Sequence, residues 1–420
     1  MAGSHADITT GPKGEIANRK LIEHSKQFKP TLYKINERVY SLVGEGLSNA
    51  ALILGDGGAI VVDSGESIEE ASEHLAEFRK ITDLPIKAVI YSHSHYCRGT
   101  QAYQDDAGEP IQVWAHERVP TNIVDVAGEI GPAFTRRLMI HFGYFLPQEG
   151  PDAMPNYGLG PYFFHPSGRR ATGGYLPPTH VIGKKAEATI AGIKFEFIEY
   201  SSDSDDTIII NLPEENIVIN NHIWPCMFNI YTLRGGPYRD PLEHVEAIDC
   251  IRQMDPMHLV NVHGVPIMGR DNVDRALQDY RDSLQFIWDQ TVRGINRNLA
   301  QDDLVDFVQL PKHLEDSPYI QQFYGEVPFH VRAVHSGLFG WFGNDCATLL
   351  PVSPDVEAEK IVIGFGGRDK VLADAKAALS NGEENWAAQL VGYLVRLDPN
   401  DEEAKQLKAN ALRLIGQTST

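Results

Sequence analysis

The chain has 420 residues, long enough for two or three domains with cores of their own. Its 57 acidic and 37 basic side chains give a formal charge of -20, which repels nucleic-acid phosphates and anionic membrane surfaces, so an anionic small substrate needs a local basic pocket. No stretch approaches the ~20 apolar residues of a spanning helix, and "MAGSHADITTGPKGEIANRKL" lacks the apolar segment of a signal peptide, so a cytoplasmic protein without nucleic-acid or membrane partners is expected.

After a polar arm over residues 1–30, "RVYSLVG", "NAALILGDGGAIVVDSG" and "IKAVIYSHSH" read as strands, with Gly-Asp-Gly-Gly suited to a tight hairpin. "SIEEASEHLAEFRKITD" has helical spacing, and Ser67 with Glu70 has the S-x-x-E form of a capping box. Residues 145–180 are rich in proline, glycine and aromatics and predict a long loop serving as lid or substrate wall. Tyr157, Tyr162, Phe163 and Phe164 are its candidates to cover an apolar tail. Strands resume at "ATIAGIKFEFIEY", "TIIINLP", "NIVIN" and "HLVNVHG". From about residue 270 the pattern turns helical and ends in three helices parted by "NGEEN" and "DPND", a packing or dimerisation module.

His93 and His95 follow the apolar run "AVIY" and fall just past the carboxyl end of a strand, where open α/β sheets bind ligands. Two imidazoles at i and i+2 can face one ion, and imidazole nitrogen suits zinc. "SSDSDDT" adds carboxylates at another strand boundary. Asp203 is the choice to complete a His, His, Asp set that leaves a fourth position open, while Asp205 and Asp206 read as a solvated turn. His263 ends "LVNVH" and stands open between a structural histidine and a ligand. Asn221 and His222 follow "NIVIN"; the amide suits orientation of water or substrate, and the imidazole a proton donor. In "NIYTLRGG", Asn229, Tyr231 and Arg234 form a candidate substrate-binding group, the arginine fork matching sulfate, phosphate or carboxylate oxygens. Cys97 is open to three readings: a small buried filler, a metal ligand, or a nucleophile activated by Arg98.

These residues resemble the metallo-β-lactamase superfamily, and specifically its alkylsulfatase branch. The superfamily's H-x-H-x-D-H stands here as "HSHYCR", and "SLVGEGLSNAALI", "VVDSG", "LPPTHVI", "NIYTLRGGPYRD", "FYGEVPFHVRAVHSGLFGWFGNDCATLLP" and "NWAAQLVGYLVRLDP" extend the match along most of the chain. The resemblance implies an αββα sandwich over residues 31–297, then an all-α dimerisation domain over 298–420 and a homodimer, the branch's C-terminal lipid-carrier-like domain being absent. It also implies a hydrolase holding two zinc ions and cleaving alkyl sulfate esters.

Carried over by position, the first zinc's ligands fall on His93, His95 and Asp203, where the family usually has Glu. The second zinc's fall on Cys97 for Asp, Arg98 for His, Asn221 for the bridging Glu, and His263, which matches. Asn229 and Arg234 match sulfate-binding positions. A guanidinium roughly 4 Å from a dication opposes its binding by several kcal/mol even at an effective dielectric of ~20. One zinc ion per chain is therefore expected, with Arg98 stabilising negative charge where the second ion would sit. The leading expectation is a mononuclear zinc hydrolase acting on a small molecule with an anionic or polar head and an apolar part. Two other readings stay open: a metal-assisted lyase or other ester- or ether-cleaving enzyme, and a non-catalytic dimeric binding protein.

Overall fold

The computed structural model describes residues 7–124, 128–161, 171–231 and 233–419. The chain divides into two compact units. One comprises residues 24–145 and 156–341; the other gathers 1–23, 146–155 and 342–420.

The smaller unit begins with a hairpin of β1 (Ile8–Thr10) and β2 (Ile16–Asn18), followed by helix α1 (Arg19–Ser25), which runs into the larger unit.

The larger unit is built on two sheets. The first follows chain order: β3 (Thr31–Lys34), β4 (Val39–Val43), β5 (Ala50–Leu54), β6 (Ala59–Val62), β7 (Ile86–Ile90), β8 (Gln112–His116) and β9 (His180–Ile182). Strands β3 to β6 pair antiparallel, with the predicted Gly-Asp-Gly-Gly turn between β5 and β6 closed by Gly55 N–H donating to Gly58 O at 2.9 Å. From β6 to β9 the pairing is parallel, so the connections cross over through α2 (Ile68–Phe78), α3 (Thr100–Ala107), and α4 (Val119–Val124) with α5 (Gly131–His141). Ser67 caps α2 by accepting from the Glu70 N–H. Helices α4 and α5 were not anticipated from sequence; none of the α5 residues is fully buried, so it shows no complete apolar face.

The second sheet runs β10 (Lys185–Ile190), β11 (Ile193–Glu199), β12 (Ile208–Leu212), β13 (Ile217–Asn220), β14 (His258–Asn261) and β15 (Ile267–Met268), antiparallel except for β13 and β14. Helix α6 (Pro241–Gln253) makes that crossover. Ile53, Ile60, Val62 and Ile90 from the first sheet and Phe195, Phe197, Ile210 and Ile219 from the second fill one core between the sheets. A second core lies under α2 and α3, around Phe78, Tyr91 and Tyr103. A third lies under α6 and α7 (Arg270–Ile295). The αββα sandwich expected from sequence is thus present.

The expected boundary at residues 297/298 falls inside this unit. Helices α8 (Gln301–Phe307), α9 (Lys312–Glu315) and α10 (Val327–Phe339) follow, and Leu304, Val308, Val331 and Val334 share the core of α7. A long amphipathic helix such as α7 needs apolar cover along its stripe, and these helices provide it.

The smaller unit continues with α11 (Pro354–Gly364), α12 (Arg368–Ser380), α13 (Glu384–Leu397) and α14 (Glu402–Thr418). The last three are those read from sequence, and α11 precedes them. Val371, Ala375, Leu390, Val391 and Ala404 form their core. Residues 146–155, read as part of the lid, belong to this unit, where Pro151 O accepts from Ile16 N–H. Tyr162, Phe163 and Phe164 lie outside the described residues. No described helix is long and apolar enough to cross a membrane.

Candidate metal centre

The two sheets send their carboxyl ends to one edge of the sandwich. There the exits of β6, β7, β13 and β14 and the turn between β11 and β12 meet, carrying Asp63, His93, Asn221, His263 and Asp203. His93, His95 and Asp203 each offer one ligand atom, all within 4.8 Å of one another. His93 Nε2 lies 3.8 Å from Asp203 Oδ1, and His95 Nδ1 lies 3.2 Å from Oδ2. Zinc at its usual ~2.05 Å from N and O ligands separates tetrahedral neighbours by about 3.3 Å. The three groups therefore fit one face of such an ion, and the borderline N/O set suits zinc.

A chain of hydrogen bonds fixes the tautomer that this requires. Asp63, whose backbone is left-handed at φ 62°, accepts from Ser92 N–H at 2.8 Å and from Ser92 Oγ–H at 2.7 Å. With its proton so used, Ser92 Oγ is left to accept from His93 Nδ1–H at 2.9 Å, and Nε2 keeps its lone pair toward Asp203. Burial lowers the His93 pKa to about 3, keeping the ring neutral as a ligand must be. Burial alone would raise Asp203, but the facing His95 and His93 rings, with Arg239 further off, hold it well below the usual carboxylate range.

Asn221 holds this carboxylate in place. Its Nδ2 donates to Asp203 Oδ1 at 2.7 Å and to Ser202 Oγ at 3.1 Å, while its Oδ1 accepts from Trp224 Nε1 at 2.9 Å. The amide expected to orient water or substrate is here turned to the Asp203 carboxylate. Asp205 is exposed as expected, but Asp206 is buried, correcting the reading of both as a solvated turn. Asp206 accepts from Ser94 N–H at 3.3 Å and Asn122 Nδ2 at 2.9 Å, which fastens the acidic turn to the H-x-H loop and to α4.

The triad opens on a cavity of about 390 Å³. His95, Asp203, His263, Arg98, Arg234 and Glu66 supply its polar wall; Ile123, Phe134, Leu138, Phe142 and Leu159 supply an apolar one. Arg234 lies 5.9 Å from the centre of the Phe142 ring. A neighbouring cavity of about 260 Å³ shares His95, Asp203 and Arg234 and adds Arg239, whose Nη1 donates to Asn229 O at 2.9 Å. His263 lines the main cavity but is outside the cluster of three, and its Nδ1 donates to Leu47 O at 2.9 Å.

Other expected site residues sit behind these walls. Cys97 is fully buried, its Sγ donates to Ser94 O at 2.9 Å, and burial pushes the thiol up, so of its three readings the geometry favours filler. His222 is buried and its Nε2–H donates to Tyr200 O at 3.2 Å; burial lowers it to about 3, so the ring is neutral and that N–H is spent on the backbone. Asn229 and Tyr231 line neither cavity. Asn229 O carries Arg239, and Tyr231 Oη donates to Tyr324 O at 2.9 Å. Tyr157 packs in the apolar cluster of Leu47, Tyr96 and Phe142 and is not a lining residue.

Sequence reading passed over Glu66, Trp224 and Arg239. Glu66 follows "VVDSG" at a strand exit, the signal that singled out His93 and His263. Burial pushes its carboxyl up to about 7, against the pull of Arg98 and His95.

A two-sheet sandwich with paired histidines and a carboxylate at its strand ends defines a metallo-β-lactamase-type metalloprotein. The Metallo-beta-lactamase superfamily pattern matches residues 43–96, and that described as Alkyl sulfatase dimerisation matches 300–420. A linear primary-alkylsulfatase of a Pseudomonas species is 37% identical over 371 residues, 86% of this chain and 69% of that protein. An (R)-specific secondary-alkylsulfatase of Pseudomonas is 28% identical over 398 residues, 92% of this chain and 59% of its own. The solved structure of a double mutant of the sec-alkylsulfatase PisA1 aligns with a TM-score of 0.87 at 26% identity, covering 96% of this chain and 65% of that one. The chain belongs to the alkylsulfatase family of the metallo-β-lactamase superfamily, and spans 59% to 69% of the length of these relatives.

Proposed function

We propose that this protein is a zinc-dependent alkylsulfatase that works with one ion per chain and cleaves the sulfate ester of a small molecule with an apolar tail. The observation that carries the reading is the meeting of His93, His95 and Asp203 in a cavity with arginines on one wall and Phe134, Leu138 and Phe142 on another. When bound, the ion supplies Lewis acidity toward the oxygens of the ester. His93, His95 and Asp203 hold it, and Asn221 and Ser92 aim two of those ligands.

Arg234 grips the sulfate oxygens through its planar fork of donors, the local positive charge that a -20 chain needs for an anion. Arg98 adds a second cation at the cavity wall and stabilises charge that builds on the sulfate as the ester bond breaks. The apolar wall takes the alkyl tail out of water, at roughly 25 cal/mol per Å² buried. The match to the alkylsulfatase dimerisation pattern supports a homodimer.

Metal analysis and sulfate release together test this. The expected result is one zinc per chain, turnover of alkyl sulfates, and loss of both in a His93→Ala, His95→Ala double variant. Two tightly held ions would overturn the mononuclear reading. A metal-loaded protein inert toward alkyl sulfates of every chain length would overturn the substrate.

A further inference from the structure

Gly65 and Cys97 form an isolated parallel bridge that brings the exits of β6 and β7 side by side. Arg98 N–H donates to Gly65 O at 3.1 Å and Ser64 N–H to Tyr96 O at 2.8 Å, so the residues after the bridge, Glu66 and Arg98, are held as neighbours. Both line the cavity that contains His95 and Asp203, and the Arg98 charge attracts the Glu66 carboxylate.

The Glu66 backbone is fixed from beneath. Glu70 caps in an unusual way: its N–H donates to Ser67 Oγ at 3.1 Å, while its own Oε2 accepts from the Glu66 N–H at 2.8 Å, one residue before the cap. Gly46 and Gly65 make room for the Glu70 carboxylate; a Cβ at Gly46 would stand 2.0 Å from Glu70 Oε1, and one at Gly65 2.4 Å from its carboxyl carbon. Glu66 Oε2 itself is buried and has no hydrogen-bond partner among the described residues. A buried carboxylate oxygen without a partner is costly, and it is retained where a substrate or water completes the bond.

Of the other bases of the cavity, Asp203 faces both histidines and accepts from Asn221, while His263 donates Nδ1–H to Leu47 O and keeps Nε2 as its one open acceptor.

Resting on the sulfatase reading above, we propose that Glu66 is the proton acceptor of this site, its Oε2 taking a proton from the water that attacks the sulfate ester. The water oxygen bonds to the ester carbon or to sulfur. The bond from that atom to the bridging oxygen breaks, and its electron pair leaves on that oxygen. The proton lost by water goes to Glu66. In the sulfur route the departing alkoxide takes it back; in the carbon route sulfate leaves as the dianion and the proton passes to solvent past Arg98, which is exposed. Arg98 opposes the rise that burial imposes on the Glu66 carboxyl and so favours its ionised form. One arginine and one carboxylate thereby share the work of activating water beside a single cation.

The test compares the parent with Glu66→Gln, Glu66→Asp and Glu66→Ala, each measured for metal content, kcat and KM on an alkyl sulfate. The expectation is an unchanged metal content, kcat lower by about 100-fold or more in the Gln and Ala variants, a smaller loss in the Asp variant, and partial recovery of the Ala variant by added formate. A kcat within about threefold of the parent in Glu66→Gln overturns the role. So does a metal count that drops in Glu66→Gln, which would make Glu66 a ligand, or a loss in Glu66→Ala that formate leaves untouched while the Asp variant is equally inactive. A parent that turns over no alkyl sulfate fells the sulfatase reading; an active parent with an unimpaired Gln variant fells this role alone.

Discussion

Asn221 Nδ2 donates to Asp203 Oδ1 across 2.7 Å and joins the exit of β13 to the turn between β11 and β12. Trp224 holds the far side of the same amide, so the carboxylate is aimed before any ion arrives. Groups that orient ligands in this way typically contribute 10- to 100-fold to metal affinity. Asn221→Ala is expected to weaken zinc binding by about that factor, measured by competition with a chelator of known affinity. Unchanged affinity would show that the hydrogen bond orients nothing.

Arg234 faces the cavity with a planar donor fork over Phe142. Lysine keeps the charge but not the fork, and hydrogen bonds to charged groups are worth about 1.5–3 kcal/mol. Arg234→Lys should therefore lower kcat/KM on a sulfate ester by roughly 10- to 100-fold, while the chelator titration stays at the parent value.

The apolar wall sets a length scale. At about 0.8 kcal/mol per buried methylene, kcat/KM should rise about fourfold with each carbon added to the tail until the cavity of about 390 Å³ is filled. Leu138→Trp should move the plateau to shorter chains and Phe134→Ala to longer ones, read from a series of linear alkyl sulfates. A profile flat with chain length in all three proteins would mean that the tail binds elsewhere.

Gly65 sits at φ 69°, and a Cβ there would meet the Glu70 carboxyl carbon at 2.4 Å. Left-handed strain of about 1–2 kcal/mol and overpacking of about 1–3 kcal/mol add up, so Gly65→Ala should lose about 2–5 kcal/mol in urea unfolding. Activity should fall with it, since the same turn carries Glu66. A variant as stable as the parent would show that Glu70 has room to retreat.

Several of these residues were legible beforehand and several were not. An apolar run that stops is a local signal, so the strand exits bearing His93, Asp203, Asn221 and His263 could be read along the chain, as could the Gly-Asp-Gly-Gly turn and the Ser67 cap. Helix α5 was not: it buries no residue fully, and its cavity-facing Phe134 and Leu138 give no complete stripe. Asp206 looked like a solvated acid because its partners, Ser94 and Asn122, lie about a hundred residues away in the chain.

The sequence by itself determined the alternation of strands and crossover helices, the placing of ligand-type side chains at strand ends, and the basic replacement at Arg98, because periodicity and residue chemistry are properties of neighbours along the chain. Which of those side chains converge was decided only in three dimensions. Asn221 turned to Asp203, Cys97 and His222 withdrew behind the wall, and Glu66 came up beside Arg98 through a single bridge between two strand exits. Hydrogen-bond partners and burial depend on distances across the fold, and those distances are set by how two sheets pack, not by spacing in the sequence.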